Sequence, residues 1–222
     1  MKKNISTILA VTGAMLLMAS SAFATASVSW ISPPNNSSYT VGTTVDLTGQ
    51  ASGSGMTGGT GLDLMMVIDV SGSMSGGGIT AAKNATVALI NALPLGTTQM
   101  GIVTFQSTTN TYRLLQDLTA NKAGLITAVN ALSAGGNTAT GPGIQAATAE
   151  LGSSRAIAGH SKMEVVLSDG GSNVGISPVT AAGQAYSAGI TVHSVGTPGH
   201  VASEMSQIAA AGHGTYTNVS AL

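Results

Sequence analysis

The 222-residue sequence contains no cysteine, which removes disulfides and thiolate metal sites from consideration. It is also poor in charge. Only 7% of its residues are Asp, Glu, Lys or Arg, against about 25% in ordinary soluble domains. Basic residues are too few and too scattered to form a nucleic-acid-binding patch. Aromatic residues make up 3% of the chain. After the N-terminus there is no second long apolar run, so the mature chain is expected to have no membrane span. Several catalytic signatures are missing too. No Gly-x-x-x-x-Gly-Lys-Ser/Thr run is present to cradle phosphates, and no Gly-x-Ser-x-Gly run to raise a nucleophilic serine. Counted from Asp69, an EF-hand would need glycine sixth and glutamate twelfth, where the chain has Met74 and Thr80.

What fills the chain instead is Gly, Ala, Ser and Thr around a 43% hydrophobic fraction. That fraction can build a full core, and the near-zero charge is unlike that of disordered chains. At the N-terminus, Lys2 and Lys3 precede an apolar stretch from Ile8 to Ala19, then Ala22-Phe23-Ala24. This is the pattern of a secretory signal, with cleavage expected after Ala24. The apolar stretch is shorter than the ~20 residues of a spanning helix, and without cysteine the chain cannot be a lipoprotein. Residues 1–24 are therefore read as a signal peptide and the protein as secreted or extracytoplasmic. The mature part keeps five Lys/Arg against eight carboxylates, a net charge of −3.

The organisation that follows is a short β segment over 25–50, a Gly/Ser linker over 51–61 and one larger domain over 62–222. In the first segment, Val28 to Ile31 and Thr44 to Thr48 read as strands around the Pro33-Pro34-Asn35-Asn36 turn. This run resembles the opening strands of bacterial Ig-like modules. In the larger domain, apolar strands alternate with helical spacings. Leu62 to Ile68 is a strand buried on both faces. Ile79 to Leu93 is a helix stopped by Pro94. Further strands are expected at Gln99 to Phe105, Thr111 to Asp117 (an edge), Met163 to Leu167, Ile190 to Val195 and Thr215 to Val219. Helices are expected at Asn121 to Leu132, Pro142 to Leu151, Pro178 to Ala188 (capped by Ser177) and Ala202 to Ala211. Strand–helix alternation at this spacing predicts an α/β fold, a doubly wound and mostly parallel sheet with helices on both faces. Such sheets bind ligands beyond the carboxyl ends of their strands.

Three segments at strand or helix ends are rich in oxygen ligands. Asp69-Val70-Ser71-Gly72-Ser73 follows the first long strand, Gly135-Gly136-Asn137-Thr138 follows a helix, and Ser168-Asp169-Gly170 follows the Met163 strand. Two carboxylates and three hydroxyls suit a hard divalent cation such as Mg²⁺, and no soft ligand accompanies them. Taken singly, each residue has a plainer reading. Asp69 and Ser71 can cap the following helix, Asp169 can be a turn residue before glycine, and Thr140 is best explained as a cap near Gly141-Pro142.

Taken together, Asp69-x-Ser71-x-Ser73, Gly-Gly-x-Thr138 and Ser-Asp169-Gly resemble the metal-ion-dependent adhesion site of von Willebrand factor A (vWA) domains, in order and spacing, over Leu62 to Leu222. The resemblance implies a Rossmann-like fold and a divalent cation, Mg²⁺ first, with Mn²⁺ and Ca²⁺ as alternatives. Ser71, Ser73 and Thr138 would coordinate it directly, Thr138 depending on the conformational state, and Asp69 and Asp169 would act through water or from behind the direct ligands. It also implies that a carboxylate of a protein partner completes the coordination. The family normally carries a helix after its last strand. None follows Thr215 to Val219, so the domain is expected to lack it, and a longer reading frame and insertion into a β-sandwich are the linked expectations. The function expected is extracytoplasmic, metal-dependent protein binding or adhesion, with a purely structural metal in a larger surface assembly as the alternative. No enzyme is expected, because none of the three loops holds a histidine to serve as a base beside a metal-bound water.

Overall fold

The computed structural model describes residues 25–32, 48–54 and 61–218. The N-terminal pattern of residues 1–24 and the Pro33–Asn36 turn lie outside these residues. The chain divides into two compact units, Met1–Thr57 and Gly58–Leu222.

In the first unit, β1 (Thr25–Ser32) pairs antiparallel with β2 (Thr48–Ser54), from Thr25 opposite Ser54 to Ser32 opposite Thr48. The second strand thus starts where the Thr44 to Thr48 reading ended, and it runs four residues into the segment read as linker. The sequence Thr-Gly-Gln-Ala-Ser-Gly-Ser has little intrinsic strand preference. Pairing with β1 supplies the backbone partners that composition does not announce.

The second unit is a six-stranded sheet in the order β5-β4-β3-β6-β7-β8. Its strands are β3 (Leu62–Asp69), β4 (Thr98–Phe105), β5 (Thr109–Asp117), β6 (Ser161–Ser168), β7 (Ile190–Gly196) and β8 (His213–Asn218). All neighbours are parallel except β4 and β5, which form an antiparallel pair at one edge. The helices are α1 (Gly77–Ala92), α2 (Leu118–Asn130), α3 (Thr140–Leu151), α4 (Pro178–Ser187) and α5 (Ala202–Ala211).

Side chains alternate across β3 as the strand geometry demands. Leu64, Met66 and Ile68 enter a core with Ile79, Ala82 and Ile90 of α1 and Leu125 and Val129 of α2. Met65 and Val67 enter a second core with Ile144 and Leu151 of α3, Ala182 of α4 and Ile208 of α5. The sheet is therefore covered on both faces, which explains the apolar run Leu64–Ile68 of β3. The expected doubly wound α/β fold is the observed one. No helix among the described residues is long and apolar enough to cross a membrane.

The chain winds outward from β3 through β4 to β5, and from β6 through β7 to β8. The order reverses between β3 and β6, so their carboxyl ends flank the topological switch point. Asp69 closes β3, and Ser168 closes β6 immediately before Asp169.

Candidate metal centre

Asp69 is wholly buried at the end of β3. Its Oδ1 accepts the backbone N–H of Ser71 at 2.8 Å, an Asx-type turn that bends the chain out of the strand. Its Oδ2 accepts the Ser168 hydroxyl at 2.5 Å. Ser71, also buried, sits 3.0 Å from the Ser73 hydroxyl, oxygen to oxygen, while Ser73 is exposed. The helix-cap reading of Ser71 does not hold. It occupies the cap position of the 3₁₀ turn Gly72–Met74, yet makes no side-chain cap bond there.

The second loop is tied to the first by its backbone. Gly72 N–H donates to Gly136 O at 2.9 Å, and Gly135 N–H to Val70 O at 2.8 Å. The third loop in turn holds the second. Asn173 N–H and Val174 N–H both donate to Thr138 O, at 2.9 and 3.2 Å, and Thr138 N–H donates to Asn173 Oδ1 at 3.1 Å. The three segments singled out in the sequence thus meet at one edge of the sheet.

Burial is the largest influence on Asp69 and pushes its pKa up to about 6, opposed by the Ser168 and Ser71 hydrogen bonds and aided by the charge of Asp169. The charge of Asp169 is the smallest of these influences. Asp169 is buried as well, and its Oδ1 has no protein hydrogen-bond partner. A buried carboxylate oxygen without a donor costs free energy unless something positive meets it. The donor set of two carboxylates and hydroxyls is all oxygen, which fits a hard cation and gives a soft one nothing to prefer. Among the described residues no three His, Asp or Glu side chains converge as a metal set, so a cation here would depend on the hydroxyls.

Thr140 corrects an expectation. It is the first residue of α3, behind the cap position of Ala139, and makes no cap bond. Its hydroxyl is buried and lacks a hydrogen-bond partner. The helix begins one residue earlier than a Thr140 cap would require, and the next residue, Gly141, is packed so closely on the carbonyl of Ile176 that a Cβ would lie 2.0 Å from it. Ser177 likewise stands at the cap position of α4 without a side-chain bond, and Pro178 opens that helix.

Three further residues, none of them among the five assigned to the cation, hold the site together. The Ser168 hydroxyl both donates to Asp69 and accepts Gly170 N–H at 2.9 Å. Asn173 grips Thr138 from 35 positions away. Glu204, in the first turn of α5, accepts Ser172 N–H at 3.2 Å. Asn173 and Glu204 belong to no local pattern, since each acts across the fold, whereas Ser168 stands in the Ser168-Asp169-Gly170 run. Along this edge the connecting segments 70–76, 106–108, 131–139, 169–177 and 197–201 carry one charged residue, Asp169, and no Lys or Arg. His200 lies on the last of these. Its Nδ1 is bonded to Thr197 O and its Nε2 to the Tyr216 hydroxyl.

Comparison with known proteins agrees with this architecture. The profile of the von Willebrand factor type A domain matches residues 63–222. No curated protein sequence matches the chain. Among solved structures, the conserved hypothetical protein BatB from Bacteroides thetaiotaomicron is 20% identical with a TM-score of 0.63, covering 72% of this chain and 90% of its own. Proximal thread matrix protein 1 from the mussel byssus, described as having a zinc-occupied MIDAS motif, is 24% identical with a TM-score of 0.62, over 72% of this chain and 42% of that one. The pilus adhesin SpaC from Lactobacillus rhamnosus GG is 16% identical with a TM-score of 0.57, over 72% of this chain and 28% of the adhesin.

Proposed function

The chain belongs to the von Willebrand factor type A domain family, and from that premise we propose that it is an extracytoplasmic, metal-dependent protein-binding module. In this reading Asp69, Ser71, Ser73, Thr138 and Asp169 hold a divalent cation, Mg²⁺ in the first place, at the carboxyl edge of the sheet. The cation supplies an electrophilic centre for an acidic side chain of a partner protein. Residues 1–24 carry the chain out of the cytoplasm.

The observation that carries the proposal is Asp169 Oδ1, a buried carboxylate oxygen without a protein donor, beside a second buried carboxylate whose pKa its charge helps to raise. Two buried carboxylates at the ends of the neighbouring strands β3 and β6 call for positive charge. Binding is favoured over a purely structural metal because the ligand set is not closed. Asp69, Ser71, Thr138 and Asp169 are buried, whereas Ser73 faces solvent. Binding is favoured over hydrolysis because both nitrogens of His200, the histidine on this edge, are already engaged.

The test is calorimetric titration of the protein with Mg²⁺ and Mn²⁺, wild type against Asp69→Ala. Saturable binding lost in the variant is the expected result, followed by Mg²⁺-dependent uptake of an acidic ligand. A folded wild type that binds neither ion overturns the proposal. A metal that binds but takes no carboxylate supports the structural alternative instead.

A further inference from the structure

Of the three hydroxyl residues assigned to the cation, Thr138 is held differently. Ser71 and Ser73 lie in the turn that Asp69 itself forms. Thr138 precedes α3 on a loop rich in glycine, and its backbone is gripped by another loop. Its carbonyl accepts two N–H groups, from Asn173 and Val174. Its own N–H is capped by the Asn173 side chain. The Ser172 hydroxyl lies 3.4 Å from the same carbonyl. The gripping loop is itself fixed at both ends. Ser172 N–H is bound by Glu204 of α5. At the far end, Ile176 O abuts Gly141 and Gly175 abuts Pro142, both closer than a Cβ would tolerate. Gly170 and Gly171, at φ +77° and +74°, let the chain double back after Asp169, a conformation other residues rarely adopt.

We infer that the loop Ser172–Ile176 is a clamp that sets the position of Thr138, and that Asn173 is its positioning residue. This inference rests on the metal reading above. Asn173 is itself exposed, so its side chain contributes to no core. Its Oδ1 serves one described purpose, to hold the Thr138 N–H. A partner that holds a metal ligand in place without touching the metal typically changes affinity by about 10- to 100-fold when removed. The clamp also links the site to α5, because Glu204 secures the residue before Asn173. A shift of that helix would reach Thr138 through two hydrogen-bonded steps.

The experiment compares wild type, Asn173→Ala, Asn173→Asp and Asp69→Ala. Two quantities are read: Mg²⁺ affinity by calorimetry, and amide hydrogen exchange of Thr138 in the metal-free protein. Asn173→Ala should weaken Mg²⁺ about tenfold and speed exchange at Thr138, with no more than a small fall in melting temperature. Asn173→Asp keeps the acceptor oxygen and should restore both the slow exchange and at least wild-type affinity. If Asn173→Ala binds Mg²⁺ as wild type does, while Asp69→Ala binds none, the positioning role is overturned and the metal reading stands. A wild type that takes no Mg²⁺ removes the metal reading itself, and the exchange rates then report only whether Asn173 holds Thr138.

Discussion

The Ser168 hydroxyl donates to Asp69 Oδ2 at 2.5 Å while accepting the Gly170 N–H at 2.9 Å. One small side chain at the end of β6 thereby orients the carboxylate at the end of β3 and fixes the turn that carries Asp169. Removing it leaves a buried carboxylate oxygen and a buried N–H each short of a partner. We expect Ser168→Ala to lower stability by about 1–3 kcal/mol and to weaken Mg²⁺ by about 10- to 100-fold. Denaturant melts with and without the ion measure both.

Asp69→Asn should act with opposite signs in the two states. Burial raises the Asp69 carboxyl to about 6, so the native state holds its proton more tightly than the unfolded chain does. Stability conferred by the protonated form is present at low pH and is lost as pH rises from 3.8 through about 6. Without metal at neutral pH, the asparagine variant should be more stable than wild type by about 1–2 kcal/mol, the order set by a two-unit shift less the cost of re-forming the Ser168 bond. At Mg²⁺ a hundred times its dissociation constant, wild type should gain about 2.7 kcal/mol and the variant nothing. Melting temperatures across pH 4–8, in chelator and in Mg²⁺, provide the check. Equal gains from Mg²⁺ in both proteins would place the ion elsewhere.

Glu164 predicts a second pH dependence, unrelated to the metal. It lies wholly buried in the middle of the central strand β6, bonded by the Thr148 hydroxyl at 2.7 Å, and its Oε2 has no hydrogen-bond partner. Burial pushes its carboxyl from 4.5 up to about 8, against the pull of Thr148. The folded protein keeps the proton, so stability should fall as pH rises from 4.5 through about 8, by roughly 3 to 5 kcal/mol over the window. Glu164→Gln retains an acceptor for Thr148 and should flatten that slope. Urea midpoints at pH 5, 7 and 9 decide the matter; parallel slopes in the two proteins would refute it.

Gly141→Ala tests the steric seat of the clamp. A Cβ there would lie 2.0 Å from Ile176 O, a backbone atom that cannot swing aside. The loop must retreat, and a loss of about 1–3 kcal/mol is expected. Thr138 amide exchange should quicken with it. Gly124→Ala is the control, since a Cβ there meets nothing within 4 Å.

Much of this fold could be read in the sequence because its signals are local. The α5 helix falls at Ala202–Ala211 as its spacing predicts, and β3 differs from its apolar run by one residue. The three oxygen-rich loops were visible because each is a short run of unusual composition. What stayed hidden acts at a distance. Asn173 and Thr138 are 35 residues apart and Ser168 and Asp69 are 99 apart; the oxygen-rich runs brought Ser168, Asp69 and Thr138 to one site, but nothing in them named these hydrogen bonds or pointed to Asn173. Glu164 was concealed in a segment that otherwise reads as plain apolar strand. Thr140 was misread as a cap because the pattern before Gly-Pro is that of one, while the helix in fact takes Ala139 as its cap position. The last four residues of the strand Thr48–Ser54 were assigned to a linker because their composition is that of one.

The edge that carries Asp69 and Asp169 has no lysine or arginine in its connecting segments. On the proposed binding function, that predicts the kinetics of encounter. A partner's carboxylate would meet no broad positive field to draw it in, only a single point of charge seated among hydroxyls and glycines. Association should therefore run at the unsteered rate, about 10⁵–10⁶ M⁻¹s⁻¹, and change little with ionic strength. Selectivity among partners would then lie in how long each remains bound.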